Sequence, residues 1–423
     1  MPCRGPCHGV RWRTTLPIKG AIRAPINPTM TTSQNAVSHR WVGVGFSADA
    51  DAAAAGDAAA TQALRHDDAK LLIVFCSDAY DLEALLGAIN ARSGGVPLIG
   101  CSTAGQIAAD GHGDASVVVT AMGGAGFSVN TTIAKGASER LREAGAEAAA
   151  CAADDADRPH RVMLLLSDAL GGDQQEVIRG AYSVLGASVP LVGGCAGDEF
   201  KMTRTFQLYG GEVVENAVVA ASLASDSPLG IGVRHGWERI GDPVLVTSSG
   251  GNRVHTLDDK PALDLYLERQ NAPAECYTDA EAFNAFAITH PLGLSRRSTE
   301  EGVRLVAGCD FEERSLHMIA EVPQGGLTWF MSGSEDSVLD ATDEACTAAL
   351  EAIAGSEPVG FLAFDCAARR GVLGDDGIDT EIKRVLSHTG DAPVAGFYSY
   401  GEIARTSGVA GFHNQTLVVL AIT

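Results

Sequence analysis

One pattern occurs three times in this chain of 423 residues and limits what the chain can fold into. Each copy has an apolar run suited to a buried strand, then a helix-like amphipathic stretch, then a second apolar run that begins with a proline. The copies span residues 71–107, 161–200 and 360–405. A strand, a helix and a second strand joined by a short crossover form a βαβ unit, whose two strands run parallel. The repeat therefore predicts an α/β fold of mixed α+β character, built from repeated βαβ-like units.

The second strand of each copy runs into a turn of small residues. The prolines and glycines that bound this strand are Pro97 and Gly100, Pro190 and Gly193, and Pro393 and Gly396. When the copies are aligned on the proline, Ser102 corresponds to Cys195 and Tyr398. Three different chemistries at one position argue against a shared catalytic nucleophile, so we expect no enzyme and no catalytic residues. An enzyme that uses Ser102 or Cys195 alone is a less favoured alternative.

Polar residues in and after these turns are the predicted ligand contacts, because ligands bind at the carboxyl ends of strands in open α/β sheets. Hydroxyl and backbone N–H groups would hold the carboxylate of an amino acid, and Asp198 or Glu402 would hold its ammonium group. The alternative is that these side chains cap nearby backbone and that Glu402 pairs with Arg405. The predicted contacts are Ser102, Thr103, Asp198, Tyr398, Tyr400, Glu402, His413 and Asn414.

The segment between the second and third copies has a different pattern. Residues 206–256 alternate in hydrophobicity and predict short strands, with hairpin turns at Gly210–Gly211 and at Gly250–Asn252. Residues 258–270 predict a helix with Pro261 in its first turn. Residues 303–333 predict two further strand pairs with a turn near Gln324–Gly326, and residues 336–354 predict a helix that is acidic at its start.

Charge and composition exclude several classes of function. The net charge of −22 and the lack of a basic patch argue against nucleic acid as a partner. No apolar run reaches about 18 residues, so we expect no transmembrane helix and no membrane partner. Ten cysteines without a CxxC motif indicate reduced thiols in a cytoplasmic protein. Motifs for a metal site are absent from the sequence, and we expect no metal.

The first 40 residues differ from the rest of the chain. They carry six Arg or Lys residues, five prolines and no Asp or Glu. They lack the apolar core of a secretory signal. We interpret residues 1–40 as a disordered basic tail or as the product of a mis-assigned start.

Five separated motifs, in order along the chain, resemble the FIST sensory proteins. They are VFCSDAYD, PLIGCSTAGQI, PLVGGCAGD, the stretch from Gly232 to Tyr266, and PVAGFYSYGEIA followed by FHNQT. The resemblance implies a FIST N-terminal domain over residues 65–255 and a FIST C-terminal domain over residues 256–420. It also implies a signal-transduction sensor that binds a small ligand between α/β subdomains and regulates a separate output partner. One departure is Gln106, which stands where the third copy has Glu402.

A more specific version comes from one bacterial branch of the family. That branch resembles haem-binding nitric-oxide sensors that act on a histidine kinase or a cyclic-di-GMP enzyme in trans. His235, in the sequence GVRHGW, is the first candidate ligand for haem iron, and His290 is the second. A sensor of amino acids or related metabolites without haem is the alternative.

Overall fold

The computed structural model describes residues 39–109, 115–154, 158–295, 302–408 and 411–423. Within these ranges the helices are α1 Ala52–Ala63, α2 Leu82–Ser93, α3 Leu141–Ala149, α4 Gln174–Leu185, α5 Ala262–Arg269, α6 Ala280–Ala287, α7 Glu335–Ala352 and α8 Ala367–Thr389. The first strands are β1 Trp41–Ser47, β2 Ala69–Cys76, β3 Leu98–Ser102, β4 Gln106–Ala108, β5 Val117–Gly123, β6 Phe127–Lys135, β7 His160–Ser167, β8 Leu191–Cys195, β9 Gln207–Tyr209, β10 Glu212–Val214, β11 Ala217–Ser225 and β12 Leu229–Arg234. The remaining strands are β13 Glu238–Gly250, β14 Arg253–Leu257, β15 Lys260–Pro261, β16 Leu292–Leu294, β17 Gly302–Arg304, β18 Val306–Asp310, β19 Ser315–Met318, β20 Leu327–Ser332, β21 Gly360–Cys366, β22 Val394–Ser399, β23 Glu402–Arg405, β24 Phe412–His413 and β25 Leu417–Ile422.

Three copies of one four-stranded unit form the body of the protein. The strand orders are β1-β5-β2-β3, β6-β11-β7-β8 and β12-β25-β21-β22. In each unit the last two strands in this order are parallel, and all other neighbours are antiparallel. The predicted α/β repeat with parallel strand pairs is confirmed. Each repeat is longer than the predicted βαβ segment, because one strand and one helix precede that segment and one antiparallel strand follows it. The repeats cover residues 41–123, 127–225 and 229–422.

The repeats are joined by strands that cross from one unit to the next. After β3 of the first repeat, β4 pairs with β22 of the third. After β8 of the second repeat, β9 pairs with β3 of the first. After β22 of the third repeat, β23 pairs with β8 of the second. This cyclic exchange brings the carboxyl ends of all three parallel strand pairs together.

Helices cover the outer face of each repeat, and the inner faces meet in a common core. Helices α1 and α2, α3 and α4, and α7 and α8 pack as pairs on their own sheets. In the common core the Phe75 ring lies 4.6 Å from that of Phe397 and 6.1 Å from that of Phe364, between ring centroids. Because both faces of these strands are buried, their sequences are continuously apolar instead of alternating.

The glycines that the repeat places at the end of the second strand have a packing reason. A Cβ atom at Gly100, Gly193 or Gly396 would lie 2.3, 1.9 or 2.1 Å from a backbone oxygen of the parallel neighbour strand. No side chain fits at that separation, so each repeat has glycine at the same position.

Residues 238–332 form an insert in the third repeat, between β12 and α7. Its antiparallel sheet has the order β17-β16-β20-β13-β14-β19-β18, with β15 paired to β14, and α5 and α6 pack against it.

The hairpins predicted at Gly210–Gly211 and at Gly250–Asn252 are confirmed. The predicted domain boundary near residue 255 falls within β14.

Two sequence predictions in the insert are corrected by the structure. The helix predicted over residues 258–270 begins only at Ala262, because Lys260 and Pro261 pair with β14. The turn near Gln324–Gly326 does not close a local strand pair. Strand β20 follows it and pairs with β13 and β16, since those strands supply the adjacent apolar edges.

The predicted basic tail, apart from residues 39 and 40, lies outside the described residues. Among the helices that the structure describes, none combines the length and the apolar character needed to span a bilayer.

Candidate functional site

The turns at the strand ends of the three repeats hydrogen-bond directly to one another. The Ala104 N–H donates to the Tyr398 carbonyl at 2.9 Å, and the Gly197 N–H donates to the Ser102 carbonyl at 2.9 Å. The Cys195 N–H donates to the carbonyl of Gly401 at 2.8 Å. The turns at the carboxyl ends of the three parallel strand pairs therefore meet at one junction. Backbone hydrogen bonds between the turns occupy the centre of that junction.

Ser102 and Thr103 are fully buried within this junction. The Ser102 hydroxyl donates to the Gly197 carbonyl at 2.7 Å and accepts from the Phe206 N–H at 2.9 Å. The Thr103 hydroxyl accepts from the Gln106 amide at 2.7 Å. Both side chains therefore fix the junction, and their predicted contact with a ligand stays a prediction.

Asp198 anchors the loop that follows the second repeat's parallel strands. Its carboxylate accepts hydrogen bonds from the N–H groups of Met202, Thr203 and Arg204 at 2.7–2.9 Å. It also accepts from the Tyr400 hydroxyl at 2.6 Å. Burial works to raise the pKa of Asp198, but these donors outweigh it and hold the pKa below its usual value.

The two predicted tyrosines lie in different surroundings. Tyr398 is buried against α8, and its hydroxyl lies 3.4 Å from the Glu381 carboxylate. Tyr400 is half-buried, and its ring lies 6.4 Å from the ring of Phe200, between centroids. Burial and the hydrogen bond to Asp198 raise the pKa of Tyr400, so its hydroxyl stays a donor.

Glu402 is a buried carboxyl group inside the third repeat. It accepts hydrogen bonds from the Ser399 hydroxyl at 2.7 Å and from the Thr416 hydroxyl at 2.9 Å. Burial raises its pKa to about 7 against the opposing effect of these donors. The suggested pairing with Arg405 is wrong, because the Arg405 guanidinium donates to the carbonyls of Val189 and Gly408.

His413 and Asn414 are buried beside the start of the last strand. The His413 Nε2 atom lies 2.8 Å from the Ala404 carbonyl oxygen, with which it shares a hydrogen bond. The Asn414 side-chain oxygen is buried without a hydrogen-bond partner in the described part of the chain. Their role as ligand contacts stays a prediction.

A cavity of about 430 Å³ opens beside the junction. All three repeats contribute to its lining: Gly105 from the first, Glu199 and Phe200 from the second, and Arg370, Gly371, Asp375 and Ile378 from the third. One guanidinium group therefore shares a small cavity with two carboxylates and apolar surface. The sequence patterns did not single out these residues, because the repeats do not show which helix faces the strand ends.

Arg370 forms one wall of this cavity, the crevice. Its guanidinium donates to the Ala104 carbonyl at 2.6 Å and lies 5.6 Å from the centre of the Tyr398 ring. Gly105 has a φ of +128°, and a Cβ atom there would lie 2.5 Å from the Arg370 Nη1 atom. Only glycine at position 105 lets the guanidinium take this place.

The opposite wall is the longest of the three linkers at the junction. The linkers are residues 103–105, 196–206 and 400–401. Glu199, Phe200 and Met202 all have left-handed backbone, with φ of 54°, 65° and 51°. The Ser77 hydroxyl donates to the Glu199 carboxylate, and Lys201 pairs with Asp78 at 2.7 Å. The second repeat has a longer segment between its proline-led strand and the next strand than the first and third repeats have. This difference in spacing is visible in the sequence and could have identified the loop.

A buried ion network lies behind Arg370. The Arg369 guanidinium donates to Asp365 at 2.7 Å and to Glu381 at 2.6 Å, and all three side chains are buried. Burial raises the pKa of Asp365 well above its usual range, despite the nearby arginine. Arg369 and the hydroxyl of Thr342 outweigh burial at Glu381 and lower its pKa. The raised pKa favours the neutral form of Asp365, in which Arg369 and Glu381 are the charged pair of the network.

The two histidines proposed as haem ligands lie elsewhere. His235 is half-buried, and its Nδ1 atom accepts from the Trp237 N–H at 2.9 Å. Burial and neighbouring arginines lower the pKa of His235 to about 4, so the ring is neutral. The His290 ring stacks on Phe286 at 3.9 Å between centroids, and its Nδ1 atom lies 2.8 Å from the Phe286 carbonyl. Neither histidine lines the crevice.

Among the described residues, the hydrogen-bond partners of the two alternative nucleophiles are the backbone groups of Gly197 and Phe206 at Ser102 and the Ser167 hydroxyl at Cys195. Cys195 is fully buried, and its sulfur lies 3.2 Å from the hydroxyl oxygen of Ser167. Burial raises the pKa of the Cys195 thiol to about 12. In the part of the chain that the structure describes, no three His, Cys, Asp or Glu residues are grouped to hold a metal ion.

Comparison with solved structures gives a distant likeness. Cyanuric acid hydrolase from A. caulinodans is 10% identical over 91% of this chain and 100% of that chain, with a TM-score of 0.35. A likeness at this TM-score supports no statement about activity.

Comparison with curated proteins and family models is more specific. The protein is 30% identical over 132 residues to "Uncharacterized protein MJ1623" of Methanocaldococcus jannaschii, a match that covers 29% of this chain. The chain spans about a quarter of the length of that relative. The FIST N domain model matches residues 70–260, and the FIST C domain model matches residues 262–405. The protein is therefore a FIST domain protein that contains both the N and the C domain of this sensory family.

Proposed function

We propose that this protein is a sensor that binds an amino acid or a closely related zwitterionic metabolite in the crevice. The observation that carries the proposal is the composition of the crevice, where a guanidinium group and two carboxylates from different repeats face one small cavity. Its volume of about 430 Å³ lies within the range of small-molecule sites.

The chemistry of each wall suits one part of such a ligand. The Arg370 guanidinium would bind the carboxylate, because arginine forms charge-assisted hydrogen bonds with planar anions. Glu199 or Asp375 would bind the ammonium group, and Phe200 and Ile378 would contact an apolar side chain. The sequence patterns placed the ammonium group at Asp198 or Glu402. Glu199 and Asp375 line the crevice whereas Asp198 and Glu402 do not, and this supports the move.

The haem-based version has weaker support. A neutral imidazole at His235 suits haem iron, but its Nδ1 atom is engaged by Trp237 and the ring lies away from the crevice. Haem binding and nitric-oxide sensing therefore remain expectations from the family resemblance. The same holds for the output partner, which the resemblance places among histidine kinases and cyclic-di-GMP enzymes. The cytoplasmic location remains an expectation from the cysteine pattern.

The first experiment is a thermal-shift screen of the twenty amino acids against the full chain. A ligand at about a hundredfold excess over its Kd stabilises the folded state by about 2.7 kcal/mol, which gives a clear rise in Tm. For each hit, the N-acetyl and the carboxamide derivatives are screened beside the parent compound. We expect both derivatives to lose the shift, because each removes one charge that the crevice recognises.

Two results would argue against the proposal. One is that no amino acid raises the Tm. The other is that either derivative raises the Tm as much as the parent compound does. Titration with haemin, read by visible absorbance for the wild type and His235→Ala, tests the haem version separately. A saturable Soret band that is lost in the variant would favour that version.

A further inference from the structure

We propose that the kink in α8 transmits occupancy of the crevice to the inserted sheet, and that Arg369 is the positioning residue that connects them. This inference rests on the proposed function, because it assigns the regulation of the same site. Four observations on α8 and its neighbours support it.

The crevice lies directly on the kink. Helix α8 is interrupted at Gly374, which has φ of 62° and ψ of −177°. Arg370 and Gly371 line the crevice from the segment before the kink, and Asp375 and Ile378 line it from the segment after. A ligand that contacts both segments favours one angle between them over another, which is the condition for a signal.

The buried ion network spans the same kink. Arg369 lies before Gly374 and adjoins Arg370, whereas Glu381 lies after Gly374. The Arg369–Glu381 contact of 2.6 Å is fully buried, so the two segments cannot change their angle without moving these charges. Because a separated charge pair is costly in the interior, the network favours discrete arrangements over gradual bending.

Arg369 also contacts the connection that enters the insert and the start of α7, which directly follows the connection that leaves it. The chain enters the insert after β12 through residues 235–237 and leaves it through residues 333–334. The guanidinium donates to the His235 carbonyl at 3.2 Å, on the way in, and to the Val338 carbonyl at 3.2 Å, in the first turns of α7 on the way out. One side chain of the crevice helix therefore contacts the incoming connection and the first turn of the helix that follows the outgoing one.

The segment before the kink also contacts the insert directly. A Cβ atom at Gly371 would lie 3.0 Å from the Cδ1 atom of Ile288, which follows α6. The side-chain amide of Gln415, in the third repeat, donates to the Ile288 carbonyl at 2.7 Å. Movement of this segment therefore reaches the insert by a second contact.

Hydrogen–deuterium exchange of Gly374→Ala tests the inference without any ligand. An added Cβ at Gly374 meets no atom within 4 Å, so the substitution acts only by disfavouring the left-handed backbone. Gly390→Ala is the matched control, since Gly390 ends the same helix at φ of 59° and also has open space around it.

We expect Gly374→Ala to raise exchange about threefold or more in peptides covering residues 235–239 and 333–338. We expect Gly390→Ala to leave these peptides unchanged. If Gly374→Ala does not fold, Glu381→Gln serves instead, because it keeps the shape of the network and removes the charge across the kink. Changes confined to residues 367–381, or equal effects from both glycine variants, would overturn the inference.

The two proposals can fail separately. If an amino acid binds in the crevice but exchange at the two connections does not respond to Gly374→Ala, the transmission inference fails alone. If the connections respond and no amino acid binds, the proposed function fails alone.

Discussion

The side chains of Gln106 and Glu402 occupy equivalent places in the first and third repeats. Gln106 accepts a hydrogen bond from the Ser116 hydroxyl, directly before β5, and Glu402 accepts from the Thr416 N–H, directly before β25. Gln207 takes the same place in the second repeat and accepts from the Ala217 N–H. Two repeats therefore use a neutral amide where the third uses a buried carboxyl group.

Glu402 is expected to make stability depend on pH. Burial raises its folded-state pKa to about 7, whereas the unfolded chain ionises near the ordinary value. Between these two pKa values the folded state keeps a proton that the unfolded state has lost. The free energy of unfolding therefore falls by about 3 kcal/mol as the pH rises from about 4.5 to about 7.

The measurement is urea unfolding of the wild type and Glu402→Gln at pH 5 and pH 8. We expect the variant to lose this part of the pH dependence and to be the more stable protein at pH 8. Glu351→Gln, on the exposed side of α7, is the control. An unchanged pH dependence in Glu402→Gln would show that Glu402 does not cause it.

Removal of Arg369 is expected to destabilise the protein strongly. Arg369→Met leaves the Glu381 carboxylate buried without its cation, at a cost of about 3–5 kcal/mol in the free energy of unfolding. The double variant Arg369→Met, Glu381→Met should recover much of that loss, because it removes the buried anion together with its cation and the raised pKa of Asp365 favours the neutral form of that residue. Urea unfolding of the single and double variants measures the coupling. A double variant no more stable than Arg369→Met would contradict this description of the network.

The loop that forms one wall of the crevice is expected to depend on Asp198. Asp198→Ala removes the acceptor for three backbone N–H groups and the Tyr400 hydroxyl, so residues 199–204 should open locally. Lys201 and Arg204 are trypsin sites within this loop. We expect faster cleavage there in Asp198→Ala and a smaller change in Tyr400→Phe, which removes one of the donors. Equal cleavage of the wild type and Asp198→Ala would show that the loop is held by other contacts.

Cys195 is expected to be inert in the folded protein. A thiol with a pKa of about 12 is almost wholly protonated at pH 8, and only the thiolate reacts rapidly. Brief treatment with iodoacetamide, followed by peptide mass spectrometry, should modify the partly exposed Cys151 before Cys195. Stoichiometric modification of Cys195 at neutral pH would revive the enzyme alternative.

The sequence predicts the repeated part of the fold because local rules apply there. Each proline begins a strand, each glycine lies against a neighbouring carbonyl oxygen, and each intervening apolar run is buried on both faces. The alignment of Ser102 with Cys195 and Tyr398 is confirmed by the register of the three parallel pairs.

The arrangement between repeats could not be predicted from local rules. The exchange of β4, β9 and β23 depends on pairing between residues that are far apart in the chain. Ser102 and Glu402 have the chemistry of ligand contacts, but their hydrogen bonds are used within the protein. Arg370 gives no sequence pattern of its own, and only the packing of α8 brings it to the strand ends.

The most direct measurement is calorimetric titration of the full chain with the amino acid that raises its Tm most in the thermal-shift screen. Arg370→Met is titrated beside the wild type, and Arg384→Met is the control, because Arg384 lies on the same helix and pairs with Asp340 and Asp343. We expect one site per chain, a loss of about tenfold to a hundredfold in affinity for Arg370→Met, and no loss for Arg384→Met. Equal affinity of Arg370→Met and the wild type would contradict ligand binding at the crevice.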